Sequence, residues 1–476
     1  MAFLNLFICL LSIWSVLHVA CANILSSGNN GTIQDTLQSY NWKPRVFILS
    51  DILNEPDDSM SLVRYLLYSN EFETKGLCAT TSWWVKNTTH PEEMRTIVRA
   101  YGDVVNDLNQ HVHPKTQYQS AESLLQLVTS GPATLGLAAL NETISEGAQR
   151  IISSLQESEE PLFISAWGGT NTLAQSLYHM DNTMSVAEAK ELRSRIRLYA
   201  ISDQDDTGAW MRARCPDMFY IVSVHAWNEY PAATWPGINV ADCACVANET
   251  VLNPWLDANI RLGPLGSEYP QIEFGMEGDT PSFLWLVQNG LIYRDRIDWG
   301  TWGSRYNLPQ APSLFAEQST AKHFVNTIDS AIGADGNTWA TNQASIWRWR
   351  SAYQDDFAAR MQWTLTQNFT QASHQPVLNV MGHQGPDPLF LNVTANQTYT
   401  FSANLTYDPD HPADNSRLGF FMDYIPRANN IPAGLSGRPT ESNQWTGRKC
   451  IRPERRGICA RCGRERSSDH RTGTMD

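Results

Sequence analysis

Four acids fall within eight residues near the start of the chain: Asp51, Glu55, Asp57 and Asp58. Asp57 and Asp58 open a segment in which Met60, Leu62, Val63, Leu66 and Leu67 share one helical face, so their oxygens are placed to cap free N–H groups. Capping accounts for one or two acids, not four. Carboxylates packed this closely repel one another unless a cation sits among them, and hard oxygen donors suit Ca²⁺. A second acidic segment, Glu277-Gly278-Asp279-Thr280-Pro281, repeats the pattern far along the chain and leads into the apolar run Phe283–Val287.

The elements around the first cluster say where it must lie. Val46–Leu49 is an apolar run of strand length bounded by Pro44, and it feeds the acidic loop and then the helix. A strand entering a helix through a polar loop places that loop at the carboxyl edge of a sheet, where open α/β folds bind ligands. The unit recurs. Gly76–Ser82 reads as a strand ending at Trp83-Trp84, and Glu92–Leu108 as a helix. Shorter helices are expected at Ser123–Thr129 and Ile144–Gln156. Pro161–Trp167 is a strand running into Gly168-Gly169-Thr170-Asn171 and a helix from about Thr172. Ile196–Ser202 is a strand followed by Asp203, Asp205 and Asp206 and a helix through about Arg214, and Met218–Val224 is a further strand. Repeated strand, polar loop and helix predict an α/β fold with an open, mainly parallel sheet and helices on both faces.

Composition bounds the rest. The 476 residues are 42% hydrophobic and 18% charged, which describes a globular body of two or three domains. Phe3–Val19 followed by Ala20-Cys21-Ala22 reads as a signal peptide over residues 1–22, and eight sequons, at Asn30, Asn87, Asn141, Asn248, Asn368, Asn392, Asn396 and Asn404, suit an exported glycoprotein. No later stretch is long and apolar enough to span a bilayer, so no membrane partner is expected. A formal charge of −14 makes nucleic acid an unsuitable partner. Cys78, Cys215, Cys243 and Cys245 allow at most two disulfides in the body, with the pairing open. The organisation expected is an α/β domain over 43–340, then a helix (Trp347–Trp363) and a small Ig-like β-sandwich over 341–425, the latter from alternating runs such as Thr398–Leu405. Residues 426–476 form a basic tail, with nine Lys/Arg against four Asp/Glu in Arg448–Asp476, that reads as disordered or as a gene-model error.

Five blocks in order resemble the nucleoside hydrolase-like family, in the branch that contains a bacterial cellulose-binding protein. They are SDILNEPDDSMSLVRYLLYSNEF from Ser50, AWGGTNTLAQSL from Ala166, ISDQDDTGAW from Ile201, MEGDTPSFLWL from Met276 and GTWGSRY from Gly300. The resemblance covers roughly Lys43–Pro309 and implies a Ca²⁺ at the carboxyl edge of the sheet, holding a water that attacks an anomeric carbon. Carried over, Asp51 is a metal ligand and the general base, Asp57, Asp58 and Asp279 complete the carboxylate set, and Thr170 stands where a backbone carbonyl reaches the metal. Two departures stand out. The loop from Asp51 to Asp58 is two residues longer than the family's Asp-Pro-Gly-x-Asp-Asp and has no Gly. Gly278 occupies the position where many family enzymes carry a His that protonates the leaving base.

Candidate substrate contacts are Glu55, Asn171, Asp205, Trp227, Asn228, Glu277, Trp302 and Arg305, with Trp83-Trp84 and His225 beside them. For Asp205 the competing role is helix capping; for the aromatic residues it is core packing. The functions weighed are a secreted, Ca²⁺-dependent hydrolase of N-glycosyl or related small glycosidic bonds, a cellulose- or glucan-binding protein with lost or altered catalysis, and an adhesive glycoprotein whose acids only hold Ca²⁺. The partner is thus a small glycoside or a carbohydrate polymer. The sequence leaves the oligomeric state open.

Overall fold

A computed structural model describes residues 32–224, 229–239, 245, 246, 248–294, 296–308, 323–392, 394, 398–412, 414, 416, 418–420 and 451–453. Residues 1–22, expected to form a signal peptide, and nearly all of the basic tail lie outside the described residues.

Val46, Phe47, Ile48 and Leu49 form the middle of strand β1 (Arg45–Ser50), and they alternate between two cores. Val46 and Ile48 join the larger cluster on one face of the sheet, Phe47 and Leu49 the smaller cluster on the other. A strand buried on both faces belongs to a sheet covered by helices on both sides. The chain supplies those helices between strands: α1 (Pro56–Tyr68), β2 (Glu73–Ala79), α2 (Pro91–Gly102), β3 (Val128–Ser130), α3 (Glu146–Gln156), β4 (Leu162–Ala166), α4 (Asn171–Thr183), β5 (Ile196–Ala200), α5 (Thr207–Arg214), β6 (Phe219–Val222), α6 (Pro281–Leu284), β7 (Tyr306–Asn307), β8 (His323–Asn326) and α7 (Arg350–Trp363), with short helices among them.

The eight strands order as β3-β2-β1-β4-β5-β6-β8-β7. All pair in parallel except β7, which runs antiparallel to β8. The expected open, mainly parallel sheet is therefore what forms. The order steps outward from β1 to β3 and then returns to the other side of β1 at β4. The two loops that leave β1 and β4 diverge there, and they open the crevice in which such sheets bind ligands.

Several local expectations change. The helix placed at Ser123–Thr129 ends at Leu125, because Val128–Ser130 pairs with β2 and becomes strand β3. The helix expected over Trp347–Trp363 breaks at Arg348-Trp349 into Ala344–Trp347 and α7. Helix α7 also belongs to the α/β body and not to the C-terminal segment beyond it. Its Arg360 is buried, ion-paired with Glu71 and, at 3.0 Å, with Asp356, and donates to Leu67 O and Asn70 Oδ1 at the end of α1. After it, the described residues form two-stranded ribbons rather than a sandwich: Asn379–Val380 with His383–Gln384, and Leu418–Phe420 with Ile451–Pro453. Thr398–Leu405 contains no strand. Cys78 and Cys215 are buried free thiols and Cys245 is disulfide-bonded, so the two-disulfide limit falls to one; Cys243 lies outside the described residues. No described helix is long and apolar enough to cross a membrane.

Candidate functional site

The acids gather at the β1/β4 crevice. Asp51 follows β1, Asp57 and Asp58 stand in the first turn of α1, and Asp279 comes from the loop before α6. One oxygen from each of Asp57, Asp58 and Asp279 lies within 4.8 Å of the others. Two oxygens bound to one Ca²⁺ at about 2.4 Å are at most about 5 Å apart, so this spacing fits a shared cation.

Local packing sets these positions. Ser50 Oγ donates to Asp58 Oδ1 at 2.5 Å and accepts from Ile52 N at 3.2 Å, which ties the strand end to the first turn of α1. Asp51 leans against Gly168, where an added Cβ would come 2.8 Å from its Oδ1, so the end of β4 needs glycine to make room for the carboxylate. Ser82, after β2, stands beside Asp51 and favours its charged form. The Asp279 loop is pinned to α1 twice: Thr280 Oγ1 donates to Ser61 Oγ at 2.9 Å, and Arg64 Nε meets Glu277 Oε2 at 2.6 Å.

The electrostatics are those of crowded acids. Burial pushes the Asp51 carboxyl up to about 6, partly offset by Ser82. Burial, then the charges of Glu55 and Asp51, push Asp57 up to about 7. Asp58 and Asp279 are held well above the usual carboxylate range, first by burial and then by their acidic neighbours. No ion pair to any of the four is found among the described residues. Asp51 Oδ2 and Asp279 Oδ2 are buried with no hydrogen-bond partner. Buried, unpartnered carboxylate oxygens carry a large desolvation cost, and a hard divalent cation removes it. Asp57, Asp58 and Asp279 are close enough to share one, and Asp51 stands beside them outside that tight set, its charge acting on all three.

The other candidates divide. Glu55 is half-buried beside the cluster, its carboxyl raised by burial and by Glu273. Thr170 has Ala174 N and Thr207 Oγ1 as partners rather than the carboxylates, its carbonyl accepting the first bond of α4 at 3.0 Å. Asn171 is fully buried and its amide is taken up by Thr80, Thr81 and Thr134. Asp205 accepts from Thr207 N and Asn171 N at 2.8 and 3.0 Å, which makes it the clasp between the β4 and β5 loops. Burial still raises its carboxyl to about 6.

Three expected contacts are part of the core. Glu277 is fully buried between Arg64 and the Tyr269 hydroxyl, which donates to it at 2.6 Å. Trp302 is fully buried, edge-on to Tyr353. Arg305 is 3% exposed, paired with Asp329 at 3.1 Å. Trp227, Asn228 and His225 lie outside the described residues.

Sequence reasoning missed Ser50, Ser82 and Trp235. A Cβ on Gly278 would meet Trp235 Cζ3 at 2.9 Å and Asp57 Oδ2 at 2.8 Å, so an indole edge and a carboxylate fill the space a side chain there would need. Only the glycine itself hints at this neighbour.

The family described as "cellulose-binding Sde182, nucleoside hydrolase-like domain" matches residues 45–306, more than half of the chain. A solved nucleoside hydrolase-related protein from Saccharophagus degradans, associated with carbohydrate metabolism, is 26% identical with a TM-score of 0.67, over 81% of this chain and 87% of that one. An inosine-uridine preferring nucleoside hydrolase from Bacillus anthracis aligns at 13% identity and a TM-score of 0.34, over 68% of this chain and 100% of that one, too distant to carry an argument. No curated protein matches the chain.

Proposed function

Because this chain belongs to the cellulose-binding, nucleoside hydrolase-like family, we propose that it is an exported, Ca²⁺-dependent hydrolase of N-glycosyl or related small glycosidic bonds. The observation that carries the reading is the set of three carboxylates, Asp57, Asp58 and Asp279, gathered beside Asp51 at the sheet's switch point with no cationic partner among the described residues. Exposed sequons at Asn87, Asn141, Asn368, Asn392 and Asn404 support export.

A bound Ca²⁺ would supply a positive charge that lowers the pKa of a water and orients sugar hydroxyls. Asp51 takes the proton from the attacking water. Ser82 and the close pack against Gly168 hold its carboxylate in one orientation. The carboxylates also favour positive charge developing on the sugar ring. Ser50 keeps Asp58 turned toward the cleft, and the Arg64–Glu277 pair fixes the distance between α1 and the Asp279 loop.

A second reading, a glucan-binding protein with lost or altered catalysis, is favoured by Gly278. No proton donor stands there, and Trp235 occupies the space. The deciding experiment measures hydrolysis of a panel of nucleosides and aryl glycosides, with and without chelator, beside Asp51→Ala. Chelator-sensitive turnover lost in the variant supports the hydrolase. Ca²⁺ binding without turnover on any member moves the conclusion to the binding protein.

A further inference from the structure

We propose that the turn bearing Trp83 and Trp84, together with Tyr230 and Trp235, forms an aromatic platform at the mouth of the acid cluster that stacks against successive rings of a neutral glucan chain. This rests on the reading that the cluster binds a sugar, and it adds the ligand's length and charge.

The platform is anchored to the site. Ser82, which stands beside Asp51, accepts from Trp84 N at 3.0 Å and Val85 N at 3.2 Å. Its own N–H donates to Val85 O at 3.0 Å, and Trp83 N donates to Gln204 O at 2.7 Å. Four bonds thus fix a turn whose two indoles remain 45% and 50% exposed. Lys86 Nζ stands 3.5 Å from the centroid of the Trp83 ring and orients it.

From Trp84 the aromatic path continues inward. Tyr230, 42% exposed, lies beside Trp84, and its ring meets Trp235 edge-on at 5.8 Å. Trp235 in turn abuts Gly278, beside which Asp57 Oδ2 also lies. The path runs from the cation-holding acids outward to the exposed indoles.

The chemistry of floor and wall selects the ligand. The floor is carboxylate, which accepts hydrogen bonds from hydroxyls and repels uronates and phosphates. The wall is aromatic face, which covers the C–H face of a sugar ring. Four aromatic side chains offer more stacking surface than one sugar ring covers, so the ligand is an oligomer of uncharged sugars.

The test is calorimetric titration of the full chain with cellobiose, cellohexaose and oligogalacturonate, beside the double variant Trp83→Ala/Trp84→Ala. Thermal midpoints with and without Ca²⁺ are read for both proteins. The expected result is tighter binding of cellohexaose than of cellobiose and none of oligogalacturonate. The double variant should lose about tenfold in cellohexaose affinity and keep its Ca²⁺-dependent midpoint shift. Equal affinity in the variant and the parent, preference for the anionic oligomer, or no glucan binding by the parent overturns the platform. A retained Ca²⁺ shift or nucleoside turnover in that last case leaves the cation-site reading standing, whereas loss of both defeats that reading by itself.

Discussion

Two sets of buried acids share this core, and they differ in what stands beside them. Glu71 and Glu277 each face an arginine: Arg360 closes on Glu71, and Arg64 lies 2.6 Å from Glu277 with Phe357 beneath its guanidinium. Asp51, Asp58 and Asp279 are equally buried, yet the charges acting most strongly on them are other acids. The first set joins helices and loops and needs nothing from solution. The second set has no such partner among the described residues, and it is the set we propose a cation completes. Charge burial alone therefore does not mark a site; burial without a partner does.

The sharpest break of this contrast removes an internal partner. Arg360→Met leaves Glu71 and Asp356 buried without their cation and should cost about 3–5 kcal/mol, read from denaturant midpoints with and without Ca²⁺. The loss should be the same under both conditions, because the pair is remote from the acid cluster in its chemistry. A loss that Ca²⁺ repairs would mean the two regions are coupled.

The complementary change is made in the cluster. For the parent, Ca²⁺ at about 100 times its Kd should add about 2.7 kcal/mol of stability, seen as a higher thermal midpoint that chelator reverses. Asp58→Asn should abolish that gain and make the metal-free protein more stable by about 1 kcal/mol, since it removes a buried charge while Ser50 keeps an acceptor. A variant that still responds fully to Ca²⁺ would place the cation elsewhere.

A third region sharpens the comparison, because it buries an imidazole, that of His111, which is neither ion-paired like Glu277 nor cation-seeking. His111 is pushed down to about 4, chiefly by burial, and its ring nitrogens meet Thr366 O at 2.7 Å and His374 at 2.9 Å. Its Nε2 must donate to the carbonyl, so Nδ1 carries no proton and accepts from His374. Below its ordinary value of 6.5 the unfolded chain binds a proton there that the folded chain refuses until about 4. The unfolded state then binds more protons, so stability falls with falling pH, by about 1.4 kcal/mol per pH unit within that window. His111→Phe should flatten this part of the pH–stability curve relative to the parent. An unchanged slope would mean His111 is protonated in the folded state.

Much of this is legible in the sequence. The run Val46–Leu49, the periodic face of α1 and four acids between them specify strand, helix and cluster, since each rests on local spacing. Roles set by tertiary partners are not legible. Glu277 and Asp279 are two residues apart in one block, and only the position of Arg64, more than two hundred residues earlier, makes one of them structural. Trp302 and Arg305 sit in an equally recognisable block, but a shared block records packing as readily as contact. The amphipathic pattern of α7 shows that one face is buried without saying against what, and so the pattern alone gives the helix the wrong neighbour. The alternating runs after Val377 suggest a sandwich, whereas the described residues give ribbons, because alternation does not specify which strands meet.

The smallest effect tests where the cluster ends. Glu55 precedes the first turn of α1 and is half-buried, whereas Asp58 is held by Ser50 and Asp51 by Ser82. It raises the charge burden on Asp57 without sharing the tight set of Asp57, Asp58 and Asp279. Glu55→Gln should therefore change stability by no more than about 0.5 kcal/mol and leave the Ca²⁺-dependent midpoint shift in place. Calcium titration by calorimetry gives the number of sites and the affinity directly. If affinity falls as far as in Asp58→Asn, Glu55 is a ligand and the cation sits higher in the cleft, nearer the aromatic residues than to Asp279.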